Sequence, residues 1–146
     1  MNKTVLLILI LVVGVIGFFI YNSSRSADGE VISKRGLHWH SQLSIEIKGQ
    51  KQDIPANIGI GLIHNPIHTH DNSGTIHLEM QGLVKKDDLR LNQFFKIWGK
   101  QFNSECIFEH CNGPDGKVKM FVNDKENGEF ENYQMRDRDK IEIKYQ

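Results

Sequence analysis

The fold is decided by residues 37–48, which read LHWHSQLSIEIK. Apolar and polar side chains alternate along this stretch with a period of two, which is typical of a strand with one buried face. The apolar phase contains Leu37, Trp39, Leu43, Ile45 and Ile47. The polar phase contains His38, His40, Gln42, Ser44, Glu46 and Lys48. The stretch therefore predicts a half-buried strand with two histidines on its polar face.

Turn residues divide the rest of the chain into short extended segments. Gly49 begins a turn after the first strand, and the DNSG sequence at residues 71–74 provides strong turn chemistry. Pro55 interrupts the returning strand, which suits a sheet edge or a bulge. The predicted extended segments are residues 53–60, 67–71, 75–80, 118–122 and 141–145.

One helix is predicted, over residues 89–98. Its apolar side chains follow the spacing i, i+3, i+4, i+7 at Leu91, Phe94, Phe95 and Trp98. Asp87 or Asp88 is expected to cap its first turn, and Gly99 is expected to end it. Strands followed by a helix and further strands predict an α+β fold, with a small mixed β-sheet and one main helix. A small all-β sandwich of cupredoxin or cupin type is the alternative, and the helix counts against it.

The N-terminal segment, residues 5–21, reads VLLILILVVGVIGFFIY and contains no charge. A helix of that length rises about 25 Å, near the lower limit for crossing a bilayer. We expect residues 1–21 to be a single transmembrane signal anchor and residues 22–35 a polar tether. Residues 36–146 then form a domain outside the cytoplasm, on a single-pass protein of the cell membrane. The alternative is a signal peptide cleaved after a small-residue site, which Ser24-Arg25-Ser26 matches poorly.

Size and charge exclude several classes of protein. The chain has 146 residues and carries 18 basic and 18 acidic side chains. A chain of this length is too short for a TIM barrel, which needs about 250 residues. Balanced charge gives no strong electrostatic field, so nucleic acid is not an expected partner.

The histidines are the unusual feature of the composition. Six of the seven fall between His38 and His77. Four of them form two pairs at the two-residue spacing that places both side chains on one face of a strand, and His77 forms an equivalent pair with Glu79. Imidazole pairs of this kind supply neighbouring ligands to a divalent metal. The predicted ligands are His38, His40, His68, His70 and His77, with Glu79 and Asp71 as secondary candidates. His64 has no partner at strand spacing, and we assign it at most a spare role.

The donor chemistry favours copper over zinc. Imidazole with a carboxylate suits Cu(II) or Zn(II), and copper binds such ligands more strongly in the Irving–Williams order. Three classes of function remain open. In the first class, the protein captures or delivers metal outside the membrane, with another extracytoplasmic metalloprotein as a candidate partner. Alternatively, it is a small metalloenzyme with Glu79 or Asp71 as general base, or an interaction domain whose histidines sense pH.

The two cysteines enclose a short loop, CIFEHC, at residues 106–111. In an oxidising compartment Cys106 and Cys111 are expected to form a local disulfide. The competing interpretation is a second metal site formed by two thiolates and His110. The turn-rich sequence that follows the loop favours the disulfide.

Several motifs together resemble a known family. They are HWH at 38–40, IPANIGI at 54–60, HTHD at 68–71 and FFKIWG at 94–99. This combination resembles a largely uncharacterised family of small membrane-anchored or secreted archaeal and bacterial proteins, over nearly all of residues 36–146. The resemblance implies a membrane-anchored or secreted protein and says nothing about activity. The C-terminal part, residues 118–141, is similar to β-grasp domains, which implies a β-grasp-like sheet.

Overall fold

The computed structural model describes Val5, residues 11–17 and residues 30–146. The chain divides into two compact units, Met1–Val31 and Ile32–Gln146. Residues 11–17 are helical, and large apolar side chains among them are exposed. Among the described helices, none combines the length and the apolar character needed to cross a bilayer. The predicted transmembrane segment and tether lie largely outside the described residues.

The second unit is a mixed α+β domain dominated by sheet, as the order of segments predicts. Its helices are α1 (Leu91–Trp98) and two 3-10 helices, Lys86–Leu89 and Phe130–Asn132. The strands are β1 (Val31–Ser33), β2 (Leu37–Ile47), β3 (Gln50–Gln52), β4 (Ile67–His68), β5 (Thr75–Met80), β6 (Val84–Lys85), β7 (Cys106–Ile107), β8 (His110–Cys111), β9 (Val118–Val122), β10 (Lys125–Glu126) and β11 (Lys140–Tyr145).

The main sheet has seven strands within the described residues. Its order is β10-β9-β11-β2-β5-β4, and β3 pairs with β2 outside this path. Strand β11 runs parallel to β2, whereas the other pairs of this sheet are antiparallel. Two further pairs, β1 with β6 and β7 with β8, form separate small sheets. The long strand β2 therefore lies at the centre, paired to β11 on one side and to β5 on the other.

The core lies on one face of the central strands. Leu43, Ile45 and Ile47 of β2 are buried, as the alternating pattern predicts. Helix α1 contributes Phe94 and Phe95 to the same apolar cluster, and both rings are almost fully buried. Burial of large apolar side chains is the main favourable term in folding. The opposite phase of β2, which carries His38 and His40, is left away from this core.

The predicted strand over residues 53–60 does not form. Only Gln50–Gln52 pairs with β2, and the chain then becomes irregular. Pro55 has no amide proton, and the amides of residues 56–58 bond to Asn72 and Thr69 instead of to a neighbouring strand. The amide of Ala56 donates to Asn72 Oδ1 at 2.8 Å, and that of Ile58 donates to Thr69 Oγ1 at 3.1 Å. The extended segment predicted at 67–71 is likewise short, because only Ile67–His68 joins the sheet.

Helix α1 begins two residues later than predicted, because residues 86–89 form a 3-10 helix instead. Asp88 Oδ2 accepts a hydrogen bond from the amide of Lys85 at 2.8 Å and so caps the 3-10 helix. The N-cap of α1 is Arg90, whose side chain makes no capping bond. The predicted end at Gly99 is confirmed: this residue has φ 70°, the left-handed conformation that favours glycine.

Candidate metal centre

Three neighbouring strands bring the histidines together. In the register of the sheet, His40 of β2 faces His77 of β5, and His77 faces His68 of β4. On the same face, His38 is the partner of Glu79. Adjacent strands are about 4.8 Å apart, so this row places imidazoles within reach of one another. Strand β5 thus inserts His77 and Glu79 between histidines of the two flanking strands.

The ring nitrogens have the spacing expected of ligands to one ion. The Nε2 atoms of His38 and His40 are 3.2 Å apart. The same distance separates the Nε2 atom of His68 from those of His64 and His70. Two nitrogens at about 2.05 Å from a metal and 3.2 Å from each other subtend about 100°, between square-planar and tetrahedral angles. Each pair is therefore spaced for chelation of a first-row divalent ion.

His68 is fully buried, and its surroundings define its proton arrangement. Its Nδ1 lies 3.0 Å from the carbonyl oxygen of Asn65. Because a carbonyl oxygen only accepts, Nδ1 carries the proton, and Nε2 of the neutral ring presents its lone pair to the other imidazoles. Burial lowers the pKa of His68, with the neighbouring His64 adding to the effect. A neutral ring held by a backbone carbonyl is the usual state of a metal-binding histidine.

His77 and Glu79 occupy the middle of the cluster. Burial lowers the pKa of His77, and the imidazoles of His40 and His70 lower it further. Its Nδ1 is buried and has no hydrogen-bond partner among the described residues. Leaving such an atom unsatisfied costs about 1–3 kcal/mol. Glu79 Oε1 lies 3.9 Å from this nitrogen and 3.4 Å from Nε2 of His38, so the carboxylate faces several rings at once.

The donor atoms form two overlapping groups, each spanning no more than 4.8 Å. We call them the inner group and the outer group, and His77 belongs to both. The inner group contains His68, His70, His77 and Glu79. The outer group contains His38, His40 and His77. The structure therefore holds histidine and glutamate groups that could bind a metal ion.

One proposed ligand lies outside both groups. Asp71 Oδ1 accepts a hydrogen bond from the amide of Ser73 at 2.9 Å, as part of the DNSG turn. Hydrogen bonds from Ser73 also lower the pKa of this carboxyl. The aspartate therefore belongs to the turn that precedes β5, whereas the other predicted ligand residues are brought together.

His64 is closer to the centre than its sequence position indicates. It lies on a loop and forms an isolated bridge with Ile60. The bend at Asn65-Pro66 then allows His64 to approach His68, four residues later, with Nε2 atoms 3.2 Å apart. The sequence signal for this approach was the turn between His64 and His68, which a search for pairs at strand spacing does not detect.

The seventh histidine lies away from this cluster. Cys106 and Cys111 form a disulfide with an S–S distance of 2.04 Å, so the loop offers no thiolate pair to a metal. The ring of His110 packs against Tyr145, with centroids 5.2 Å apart. His110 is therefore a natural internal control for experiments on the other six histidines.

The centre is open to solvent on one side. A cleft of about 530 Å³ is lined by residues that include His64 and Glu79. The side chains of His38 and Glu79 are 61% and 40% exposed, whereas His68 is fully buried. The cluster therefore combines exposed donors with one fully buried histidine.

No protein family, curated protein or solved structure matches this chain. The functional conclusion therefore depends on the geometry and chemistry of the cluster itself. That chemistry consists of imidazoles with converging nitrogens, one carboxylate and a path to solvent.

Proposed function

We propose that this protein binds a divalent transition metal at the histidine cluster, with copper favoured over zinc. The observation that carries the proposal is the environment of His68. Its proton is committed to the Asn65 carbonyl, so its Nε2 lone pair accepts a hydrogen bond from only one ring. Two rings, those of His64 and His70, nevertheless approach this atom to 3.2 Å. One metal ion can bind the Nε2 atoms of all three rings, whereas a hydrogen bond joins only two of them.

The choice of copper follows from the donor types. The cluster offers imidazole nitrogens and one carboxylate, without thiolate sulfur. Such a set disfavours the soft ion Cu(I) and suits Cu(II) and Zn(II). Cu(II) lies above Zn(II) in the Irving–Williams order, so it binds the same ligands more strongly when both ions are present.

The proposed role is capture or delivery of the metal outside the cytoplasmic membrane. A storage site closed to solvent would exchange its ion slowly, whereas His38 and Glu79 are well exposed here. The adjoining cleft leaves room for an incoming ion or for a ligand of another extracytoplasmic metalloprotein. Exposed donors next to a buried histidine fit a protein that accepts an ion and later releases it.

Metal competition tests the binding proposal directly. The full-length chain is titrated with Cu(II) and, separately, Zn(II) in the presence of a chromophoric chelator of known affinity. We expect tight binding of both ions, with Cu(II) tighter, and unchanged binding in His110→Gln. Failure of the folded protein to compete for either ion would refute the proposal. Equal or tighter binding of Zn(II) would refute the preference for copper.

We also propose that residues 1–21 anchor the protein and that residues 36–146 face outward. The uncharged apolar stretch at residues 5–21 supports this arrangement. Full-length protein is then expected in the membrane fraction after an alkaline wash, and external protease should cleave the domain in intact cells. A soluble form beginning near Ala27 would contradict the anchor, and protection from protease would contradict the orientation.

A further inference from the structure

The cluster contains more donors than one ion uses. Within residues 30–146, seven side chains converge: His38, His40, His64, His68, His70, His77 and Glu79. A tetrahedral ion binds four ligands. Two nitrogens that bind one ion at about 2.05 Å are separated by at most about 4.1 Å. A single ion therefore leaves several of these side chains without a role.

The donors also divide spatially. The outer group carries the close pair His38–His40, and the inner group carries the close pair His68–His70. His64 adds a further nitrogen on the inner side, 3.2 Å from His68. Each pair has the chelating distance by itself, so each forms the start of a separate coordination set.

We infer that the cluster holds two metal ions side by side, one in the outer group and one in the inner group. The inference rests on the proposed metal-binding function. His38 and His40 bind the outer ion, whereas His68 and His70 bind the inner ion. His77 and Glu79 lie between the two pairs and complete both sets. Glu79 does so through its two carboxylate oxygens, and His77 does so as an imidazolate whose ring proton is released to solvent when the ions bind.

The position of β5 between two histidine-bearing strands supports this division. The ring of His77 lies 4.6 Å from that of His40 and 4.5 Å from that of His70, measured between centroids. It is therefore equally close to one member of each pair. Its two ring nitrogens diverge, and Nδ1 is the buried atom that has no hydrogen-bond partner in the described part of the chain.

Glu79 supplies the charge that two neighbouring ions require. Two dications repel each other strongly at short distance, and an anion between them reduces this repulsion. Glu79 Oε1 lies 3.4 Å from Nε2 of His38 in the outer group and 3.9 Å from Nε2 of His68 in the inner group. The carboxylate thus stands between the donors of the two groups. Two-metal sites commonly use the pair of ions to hold and polarise one bound molecule.

Metal stoichiometry tests the inference and separates it from the proposed function. Native mass spectrometry and elemental analysis are applied to the full-length chain after equilibration with Zn(II). We expect two ions per chain in the unaltered protein and in His110→Gln. The double variant His38→Gln/His40→Gln should bind one ion, because the inner group remains. Circular dichroism verifies that each variant is folded.

The outcomes are distinct. One ion in the unaltered protein would overturn the two-metal inference and leave the proposed function standing, whereas no ion would overturn both. Two ions, or none, in the folded double variant would overturn the assignment of one ion to each group.

Electron paramagnetic resonance with Cu(II) gives a second readout. Two neighbouring Cu(II) ions should couple magnetically and give a half-field transition, whereas the double variant should show only an isolated ion. Two bound Cu(II) ions without coupling would contradict the side-by-side arrangement.

Discussion

Replacing His77 by glutamine should abolish most of the thermal stabilisation that metal gives this protein. His77 belongs to both donor groups, so its loss removes a ligand from the centre whichever group is occupied. Its side chain is 19% exposed, and glutamine is of comparable size and polar. The comparison is made within each variant, between metal-free and metal-loaded protein, so any change in the stability of the metal-free form cancels.

The size of the effect follows from binding linkage. At a free Zn(II) concentration 100 times the dissociation constant, one bound ion stabilises the folded state by about 2.7 kcal/mol. The unit Ile32–Gln146 has about 115 residues. At about 2.1 cal/mol/K per residue, its unfolding entropy is about 0.24 kcal/mol/K. Each bound ion is therefore expected to raise Tm by about 11 °C in the unaltered protein.

His77→Gln should reduce this rise to about 2 °C or less for each ion. Changes to residues that only support a ligand cost about 10–100-fold in affinity, and loss of a ligand itself costs more. A 100-fold loss at the same free Zn(II) leaves about 0.4 kcal/mol of stabilisation. Differential scanning fluorimetry in a buffered series of free Zn(II) concentrations measures the shift.

His110→Gln is the matched control and should keep the full shift, because its ring packs on Tyr145 away from the cluster. A shift of about 8 °C or more for each bound ion in folded His77→Gln would correspond to less than a five-fold loss of affinity. That result would refute the assignment of His77 as a shared ligand.

Three further predictions concern the metal-free protein. Burial lowers the pKa of His68 below its usual 6.5 in the folded protein. As the pH falls, His68 is therefore protonated in the unfolded chain before it is protonated in the folded protein. The free energy of unfolding in urea should therefore be lower at pH 5 than at pH 7.5, with a smaller difference in His68→Gln; an equal difference would contradict this. Asp139→Asn should cost about 1–3 kcal/mol, because the buried carboxylate accepts hydrogen bonds from the Tyr133 hydroxyl at 2.6 Å and from a backbone amide. Urea denaturation measures the loss, and unchanged stability would exclude this role. Gly74→Ala should destabilise the fold by well over 1 kcal/mol, since φ is +83° and the new Cβ would overlap the carbonyl oxygen of Leu43. Thermal unfolding should detect it, whereas Gly49→Ala, also at positive φ but in open space, should cost less.

Local patterns predicted the longer strands, the helix and much of the cluster. Alternation along residues 37–48 places His38 and His40 opposite the buried side chains of β2, and the same rule places His77 and Glu79 opposite Ile76 and Leu78. Periodicity is a local property, because strand geometry sends successive side chains to opposite faces. The end of α1 at Gly99 is also a local property, because glycine readily adopts the left-handed conformation that ends a helix.

The positions of His64, Asp71 and residues 53–60 depended on long-range contacts. Within residues 53–60, the amides of residues 56–58 donate to groups of Asn72 and Thr69, which come later in the chain. A pattern of apolar residues carries no information about such partners. Asp71 likewise forms part of the turn before β5, although its position next to His70 had indicated that it is a metal ligand.

The face of each strand that carries the histidines follows from the residue pattern alone, since the two-residue period of a strand and the need for a buried apolar face leave one choice. Which histidines meet depends on how the strands pair. Pairing of β2 with β5 and of β5 with β4 sets His40, His77 and His68 in one row, and a shift of one residue in either pairing would break it. That register arises from hydrogen bonds between distant segments and from packing of the whole core, which no local stretch of residues specifies.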